Sequence, residues 1–195
     1  MPGSSQERSD AARNRQLLLD AAEALVREFG ADTVTMDAVA KRAGVGKGTV
    51  FRRFGNRAGL MLALLDQSDQ KLQWAYMFGP PPLGPGGEPV QRLIAFGRAH
   101  LQRVEVEGDV RRAAAAGASR YSGAPYNIAK THVSLLLRQA DTPGEIPLLA
   151  DTLLASLDAE LVLHQIRANG YTPEQIGDQW ETLVRQVTAG GRPLQ

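Results

Sequence analysis

The sequence predicts an all-α protein of about nine helices, with an N-terminal three-helix helix-turn-helix domain and a larger C-terminal helical domain. Three observations carry that prediction. Apolar residues recur three and four positions apart along most of the chain, and no stretch alternates as a strand would. Glycine, proline and short polar residues fall between the periodic segments, where helices start and stop. The 195 residues are 43% hydrophobic and 22% charged, which is an ordinary globular balance with enough apolar material for a core.

Residues 1 to about 10 are polar and read as an unstructured arm. A first helix runs to about Phe29, with Leu18, Ala22, Leu25 and Phe29 on one face and Gly30 as terminator. Thr35 is placed to cap a second helix, and Asp37 lies in its first turn. Val39 and Ala43 face inward, and Gly44 closes this helix. Val45 plugs the turn, Gly46 opens a third helix, and Val50 and Phe54, four apart, anchor it. Gly55 ends that helix. Asn56 caps a long fourth one from Arg57 to about Phe78, with Leu60, Leu64 and Leu65 turned inward.

Residues 79–89 (GPPPLGPGGEP) hold five prolines and four glycines and are a loop. From Val90 the helical pattern resumes, with Val90, Leu93, Ile94, Gly97, Leu101 and Val104 on one face. A separate alanine-rich helix is expected from about Asp109 to Ala116, and another from about Tyr126 to Gln139, broken by DTPGE. Two long helices finish the chain. Pro147 to Asn169 is expected as one helix stopping at Gly170. The last opens with Thr172-Pro173-Glu174-Gln175, a capping box with proline at the first helical position.

Composition narrows the chemistry. The chain has no cysteine and only three scattered histidines, His100, His132 and His164, so metal-ligand spacing is absent. Neither a metal nor a cofactor is expected. GVGKGT resembles the end of a phosphate-binding loop, but Lys47 is followed by Gly48 and the required spacing fails. No apolar run approaches the roughly 18 residues of a membrane span, and the N-terminus lacks the apolar stretch of a secretory signal. A soluble, cytoplasmic protein that is not an enzyme is the expectation.

The net charge of +1 is unevenly distributed. Residues 1–60 carry 10 basic and 7 acidic side chains, and residues 61–195 carry 12 and 14. Within residues 35–60 the basic residues are Lys41, Arg42, Lys47, Arg52, Arg53 and Arg57, against the single acid Asp37. A compact helix-turn-helix of that charge is the electrostatic footprint of a DNA reader. In such a motif the second helix lies in the major groove. Here that helix begins GKGTVFRRF. Gly48 removes a side chain where backbone approaches DNA. Thr49 offers a hydroxyl to phosphate and a methyl to thymine. Lys47 opposes the helix dipole, which a phosphate contact would account for. Arg52 and Arg53 project to solvent, and at most one is expected to read a base edge. Arg57, at a helix N-terminus, is expected as part of a phosphate clamp.

Residues 14–65 resemble the N-terminal domain of TetR-family transcriptional regulators. The resemblance rests on the Ala-Ala helix ending Phe29-Gly30, on TMDAVAKRAGV (Thr35–Val45), on Lys47-Gly48-Thr49, on Phe51-Arg52-Arg53-Phe54 and on Leu60. It implies double-stranded operator DNA as partner, a homodimer, and a C-terminal domain that binds a small effector. The domains are expected at residues 1–56 and 57–195. By this resemblance Thr35 is a phosphate-binding cap, and Lys47, Gly48 and Thr49 open the recognition helix. Arg57 stands where the family usually has a phosphate-binding lysine. Together with Arg42, Phe51, Arg52 and Arg53 these residues form the expected DNA-binding set. Two departures matter. Gly46 replaces a frequent serine cap, and Phe51 replaces a frequent tyrosine, each removing a hydroxyl contact of about 1 kcal/mol.

In the C-terminal domain, Trp74, Phe78, Phe96, His100, Tyr126 and His132 are candidates to line an effector pocket, since such pockets are mostly apolar with a few polar groups. Phe96 and His100 are read as lying away from the main apolar stripe. Arg111, Arg112 and Arg120 are weighed as an anion site against a solvated face. Leu153, Leu157 and Leu161 with Ile176, Trp180, Leu183 and Val187 form two apolar stripes that a twofold mate could bury in a four-helix bundle. The residues alone leave two other readings open: a non-specific architectural DNA-binding protein, and an interaction module that has lost specific DNA binding, toward which Gly46 and Phe51 point.

Overall fold

The computed structural model describes residues 3–115 and 123–190. Among them are nine α-helices and no strand: α1 (Gly3–Phe29), α2 (Met36–Ala43), α3 (Lys47–Phe54), α4 (Arg57–Phe78), α5 (Pro89–Ala115), α6 (Ala124–Gln139), α7 (Ile146–Ser156), α8 (Ala159–Arg167) and α9 (Pro173–Thr188). A single 3-10 turn, Ala31–Thr33, leads into α2. The chain divides into two compact units, Met1–Ser68 and Asp69–Gln195.

In the first unit, local chemistry sets the helix ends. The Thr35 side chain accepts the Ala38 N–H (3.1 Å) and caps α2. Gly44 ends α2 at φ 67°, a left-handed conformation costly to any residue with a Cβ, and the Val45 N–H reaches back to the Ala40 carbonyl (3.0 Å). Asn56 caps α4 by accepting the Gly59 N–H (2.9 Å). Leu18, Leu19, Ala22, Val39, Val50 and Leu60 are all nearly or wholly buried and form this unit's core.

Two expectations about α1 are corrected. The helix begins at Gly3, so the segment read as an arm is helical from there onward. No proline or glycine interrupts Ser4–Asp10, and a helix nucleated by the buried turns downstream propagates cheaply through such residues. Phe29 lies exposed at the helix end rather than on the core face, because the chain turns away at Gly30 (φ 83°).

The second unit packs around Leu93, Phe96, Leu101 and Val104 of α5, with Val133, Leu136 and Leu137 of α6 and Leu153 of α7 against them. Val162 of α8 and Trp180 and Val184 of α9 complete this core. Gly97 sits directly beneath the Trp180 indole, whose Nε1–H donates to the carbonyls of Leu93 (3.2 Å) and Ile94 (3.3 Å). Arg98 of α5 ties down α9 through Asp178 (2.7 Å) and Glu181 (3.0 Å).

Two helix boundaries differ from expectation. The alanine-rich segment is no separate helix: α5 continues unbroken through it to Ala115, since nothing between Asp109 and Ala115 breaks a helix. Its Ala116 lies outside the described residues. The segment expected as one helix from Pro147 to Asn169 is two, α7 and α8, parted at Leu157 and Asp158. Asp158 takes extended geometry and its carboxylate accepts the Glu160 N–H (3.0 Å), capping a new helix, while Leu157 stays fully buried. The capping box of α9 is present as read, with Thr172 and Gln175 each bonding the other's backbone N–H (3.2 and 2.9 Å).

Candidate nucleic-acid interface

The helix-turn-helix is α2, the Gly44–Gly46 turn and α3. Position by position, the expected binding set divides into side chains already engaged within the unit and side chains left free. Arg42 donates to Glu28 (2.6 Å). Lys47 pairs with Asp37 (2.8 Å), and its ammonium lies 5.6 Å from the centre of the Phe51 ring. Both members of the Lys47–Asp37 pair are more than half exposed, so the pair is weak and exchangeable. Arg53 donates to the Ala11 carbonyl (3.1 Å). Arg57 donates through Nε to the Val34 carbonyl (2.8 Å) and through Nη2 to the Ala31 carbonyl (2.5 Å). Among the described residues, Arg52 and Lys41 are exposed with no bonding partner. Lys41, in the last turn of α2, belongs with this free set. Sequence reasoning counted its charge and passed over its position.

Thr35 is exposed, and although its oxygen accepts from Ala38, its own O–H remains to donate. Thr49 is half-buried in the first turn of α3, where its N–H closes onto the Gly46 carbonyl (2.9 Å). Phe51 is 41% exposed and serves as a platform under Lys47 rather than as core packing. Gly46 caps α3 with no side-chain bond, in ordinary extended geometry (φ −68°).

Gly48 is the most informative position. A Cβ there would meet nothing within 4 Å, and its backbone is helical rather than left-handed. Glycine in a helix costs about 1 kcal/mol relative to alanine. No contact within the unit demands it, so its absent side chain leaves the face of α3 open to a close approach from outside. On α3 itself the adjacent Thr49 and, one turn on, Arg52 add a hydroxyl and a free cation, and α2 brings Thr35 and Lys41 to the same motif.

In the second unit the candidate pocket residues separate. Phe96 is fully buried, which corrects its placement off the main stripe. His132 stacks on Tyr76 (centroids 4.2 Å apart, 25° between planes), and Phe96 lies within about 6 Å of Tyr76, His132 and His100. Trp74 and Phe78 are 60% and 65% exposed, outside this cluster. The inward face of this stretch of α4 is Leu72 and Tyr76, so residues 74 and 78 point elsewhere; extending the leucine register of α4 would have found Tyr76. Tyr126 is also apart, donating to Asp151 (2.5 Å) beside Lys130 (2.7 Å to the same carboxylate).

Burial, with Arg111 nearby, lowers the His100 pKa to about 4, and burial, with Arg92 nearby, does the same for His132. Both imidazoles are therefore neutral at pH 7, with His100 Nδ1 and His132 Nε2 buried and unbonded. Burial also raises Tyr76 to about 12, with the nearby Asp69 adding to the effect. Arg111 is neutralised by Asp69 (3.0 Å) and Glu107 (2.8 Å), which leaves little charge for an anion; Arg112 follows it on α5, and Arg120 lies outside the described residues. Of the two expected interface stripes, Leu153, Leu157 and Trp180 are buried in the unit's own core, while Leu161 is 41% exposed and Ile176, Leu183 and Val187 are partly buried. None of the described helices is long and apolar enough to cross a membrane.

Residues 18–64 match the family of bacterial regulatory proteins, tetR family. An HTH-type transcriptional regulator of Staphylococcus aureus (strain bovine RF122 / ET3-1) is 33% identical over 60 residues, which are 31% of this chain and 32% of that protein. Another, from S. aureus strain USA300, is 38% identical over 53 residues, 27% of this chain and 29% of that one. The chain thus spans about a third of the length of the curated relatives it matches. Among solved structures, a transcriptional regulator from Rhodococcus sp. Rha1 aligns with 25% identity and a TM-score of 0.63, covering 90% of this chain and 96% of that one. SmeT, the repressor of the Stenotrophomonas maltophilia multidrug efflux pump SmeDEF, aligns with 19% identity and a TM-score of 0.57 over 88% of each chain.

Proposed function

We propose that this chain, which belongs to the TetR family of bacterial regulatory proteins, is a cytoplasmic, sequence-specific repressor that binds a palindromic operator as a homodimer and releases it on binding a small effector. The family is one of transcriptional regulators, not enzymes. The observation that carries the reading is Gly48. At the first turn of α3 the helix gives up stability for a bare backbone surface, one turn before the free cation Arg52. Bare backbone amides and hydroxyls at a helix N-terminus suit phosphate, and the adjoining side chains of α3 suit base edges in a major groove.

A twofold dimer would present two such helices roughly 34–36 Å apart, one turn of DNA. Its interface would use the apolar surface that remains outside the core, Leu161 with the partly buried Ile176, Leu183 and Val187. The effector site would centre on the Tyr76, Phe96, His100 and His132 cluster. Its two neutral imidazoles and apolar walls favour an uncharged or aromatic ligand. SmeT, which has a similar fold, has been solved as a complex with triclosan. Effector binding would act through α4, which carries residues of both units.

Selection of DNA from a random pool at low and at moderate salt tests the reading. A palindrome that survives moderate salt is the expected outcome. Binding without any motif that collapses as salt rises would favour an architectural protein instead. Replacing Lys47 and Thr49 together by alanine should weaken operator binding by at least tenfold and leave the dimer intact. Unchanged affinity in that variant would refute the placement of the recognition helix.

A further inference from the structure

The Arg57 guanidinium is engaged by two main-chain carbonyls at once. Its Nε and Nη2 occupy the main-chain carbonyls of Val34 (2.8 Å) and Ala31 (2.5 Å). Those carbonyls bracket the 3-10 turn Ala31–Thr33, immediately before the Thr35 cap of α2. Arg57 is itself the first residue of α4. One planar fork therefore ties the lead-in of α2 to the first turn of α4. The α4 N-terminus is meanwhile capped from within, by Asn56 on the Gly59 N–H (2.9 Å).

We infer that Arg57 is a positioning residue for DNA binding and not a phosphate contact. It holds α2, and with it the turn that aims α3, in register with α4. This rests on the reading of α3 as the recognition helix. The chemistry explains the residue type. Two carbonyls three residues apart need two donors in fixed geometry, which a guanidinium supplies and a lysine ammonium, as a point charge on a flexible stem, does not. The α2–α3 turn amplifies any error, because α2 and α3 are each only eight residues long and Val50 is the one buried residue of α3. The phosphate contacts then fall to the exchangeable Lys47 and to Lys41 and Arg52, whose heads are not engaged within the described residues.

Counterion release separates the two roles. Removing a cation that meets a phosphate lowers the slope of log K against log salt by about 0.9, hence by about 1.8 for a dimer altered in both copies. The experiment measures operator affinity of the full chain from roughly 50 to roughly 300 mM KCl for the parent, R57A, R57K, K41A and R52A. The operator is the sequence recovered from the random pool, and circular dichroism verifies folding of each variant. R57A and R57K are both expected to bind roughly tenfold more weakly with the parent's slope. K41A and R52A are expected to show a reduced slope. Full affinity in R57K, where charge is kept and the fork is gone, would overturn the proposal, as would a slope reduced by about 1.8 in R57A. R57K keeps the charge and the long side chain, so it remains decisive should R57A fail to fold. A parent with no preferred sequence would instead overturn the recognition-helix reading, and this inference with it.

Discussion

Replacing Gly97 by alanine adds one methyl group where α5 already lies against the Trp180 indole. The new Cβ would stand 2.1 Å from Cε2 and Nε1 of Trp180 and 2.6 Å from Cδ1. Carbon atoms rest at about 3.5–4.0 Å, so the indole must retreat by about 1.5 Å. It has nowhere to go, being 3% exposed, and retreat breaks its hydrogen bonds to Leu93 and Ile94. Overpacking costs about 1–3 kcal/mol and a buried unbonded N–H costs about as much, while alanine returns about 1 kcal/mol of helix propensity. Taking the middle of each range, the net expectation is a loss of about 3 kcal/mol. Gly108 is the control. A Cβ there meets Cγ, Cδ1 and Cδ2 of Leu163 at 3.0 Å, a contact relieved by a shift of a few tenths of an ångström, so Gly108→Ala should cost about 1 kcal/mol, well below Gly97→Ala. Urea unfolding followed by Trp180 fluorescence, in a Trp74→Phe background, reads both variants. Trp74 and Trp180 are the only tryptophans. With a slope of about 2 kcal/mol per molar urea, the Gly97→Ala midpoint should fall by about 1–2 M. A second variant, Gly97→Ala with Trp180→Leu, followed by circular dichroism, should be less destabilised than the sum of its parts by about 1 kcal/mol or more. A Gly97→Ala midpoint equal to that of Gly108→Ala would refute the packing argument.

Stability should drain on mild acidification. His100 and His132 have folded-state pKa values of about 4, below the ordinary 6.5, so the unfolded chain takes up protons first. The loss begins as pH falls through 6.5 and amounts to about 2 kcal/mol per histidine by pH 5. Urea midpoints at pH 7.5, 6 and 5 measure it, and His132→Leu should flatten the dependence; a parent midpoint independent of pH would contradict the burial. Asp37→Asn should strengthen operator binding several-fold, because Lys47 is released and a carboxylate leaves the DNA-facing surface, while weakening α2 by about 0.5 kcal/mol through the missing N-terminal charge. Fluorescence anisotropy and thermal melts should therefore move in opposite directions, and a fall in affinity would show that the Asp37 pair orients Lys47 for binding. Thr172→Ala removes the cap on the Gln175 N–H and should cost about 1 kcal/mol in the urea midpoint, with no change expected in DNA binding.

Helix ends governed by neighbours in sequence could be read directly. Thr35, Gly44, Gly55, Asn56 and the Thr172–Gln175 box each act within four residues, and each sits where the pattern put it. The apolar stripe of α5 was legible in part, with Leu93, Ile94, Gly97, Leu101 and Val104 facing inward, although Phe96 joins them in the core. The reason for glycine there was not legible, since it is the Trp180 indole from eighty-three residues away. The same limit explains the candidate sites. Six cations in residues 35–60 mark a basic surface. Whether a cation faces outward or is claimed by a carbonyl depends on partners such as Glu28, Ala11, Ala31 and Val34, brought near only by folding. Trp74 and Tyr76 are both aromatic and two apart on one helix, yet one is exposed and the other buried against His132. By itself, then, the sequence determined the all-helical class, the caps and the basic reading motif, because these depend on interactions within a turn or two of helix. Only the tertiary structure decided which side chains remain free to act, because long side chains take whichever partner the packing of distant helices places within reach.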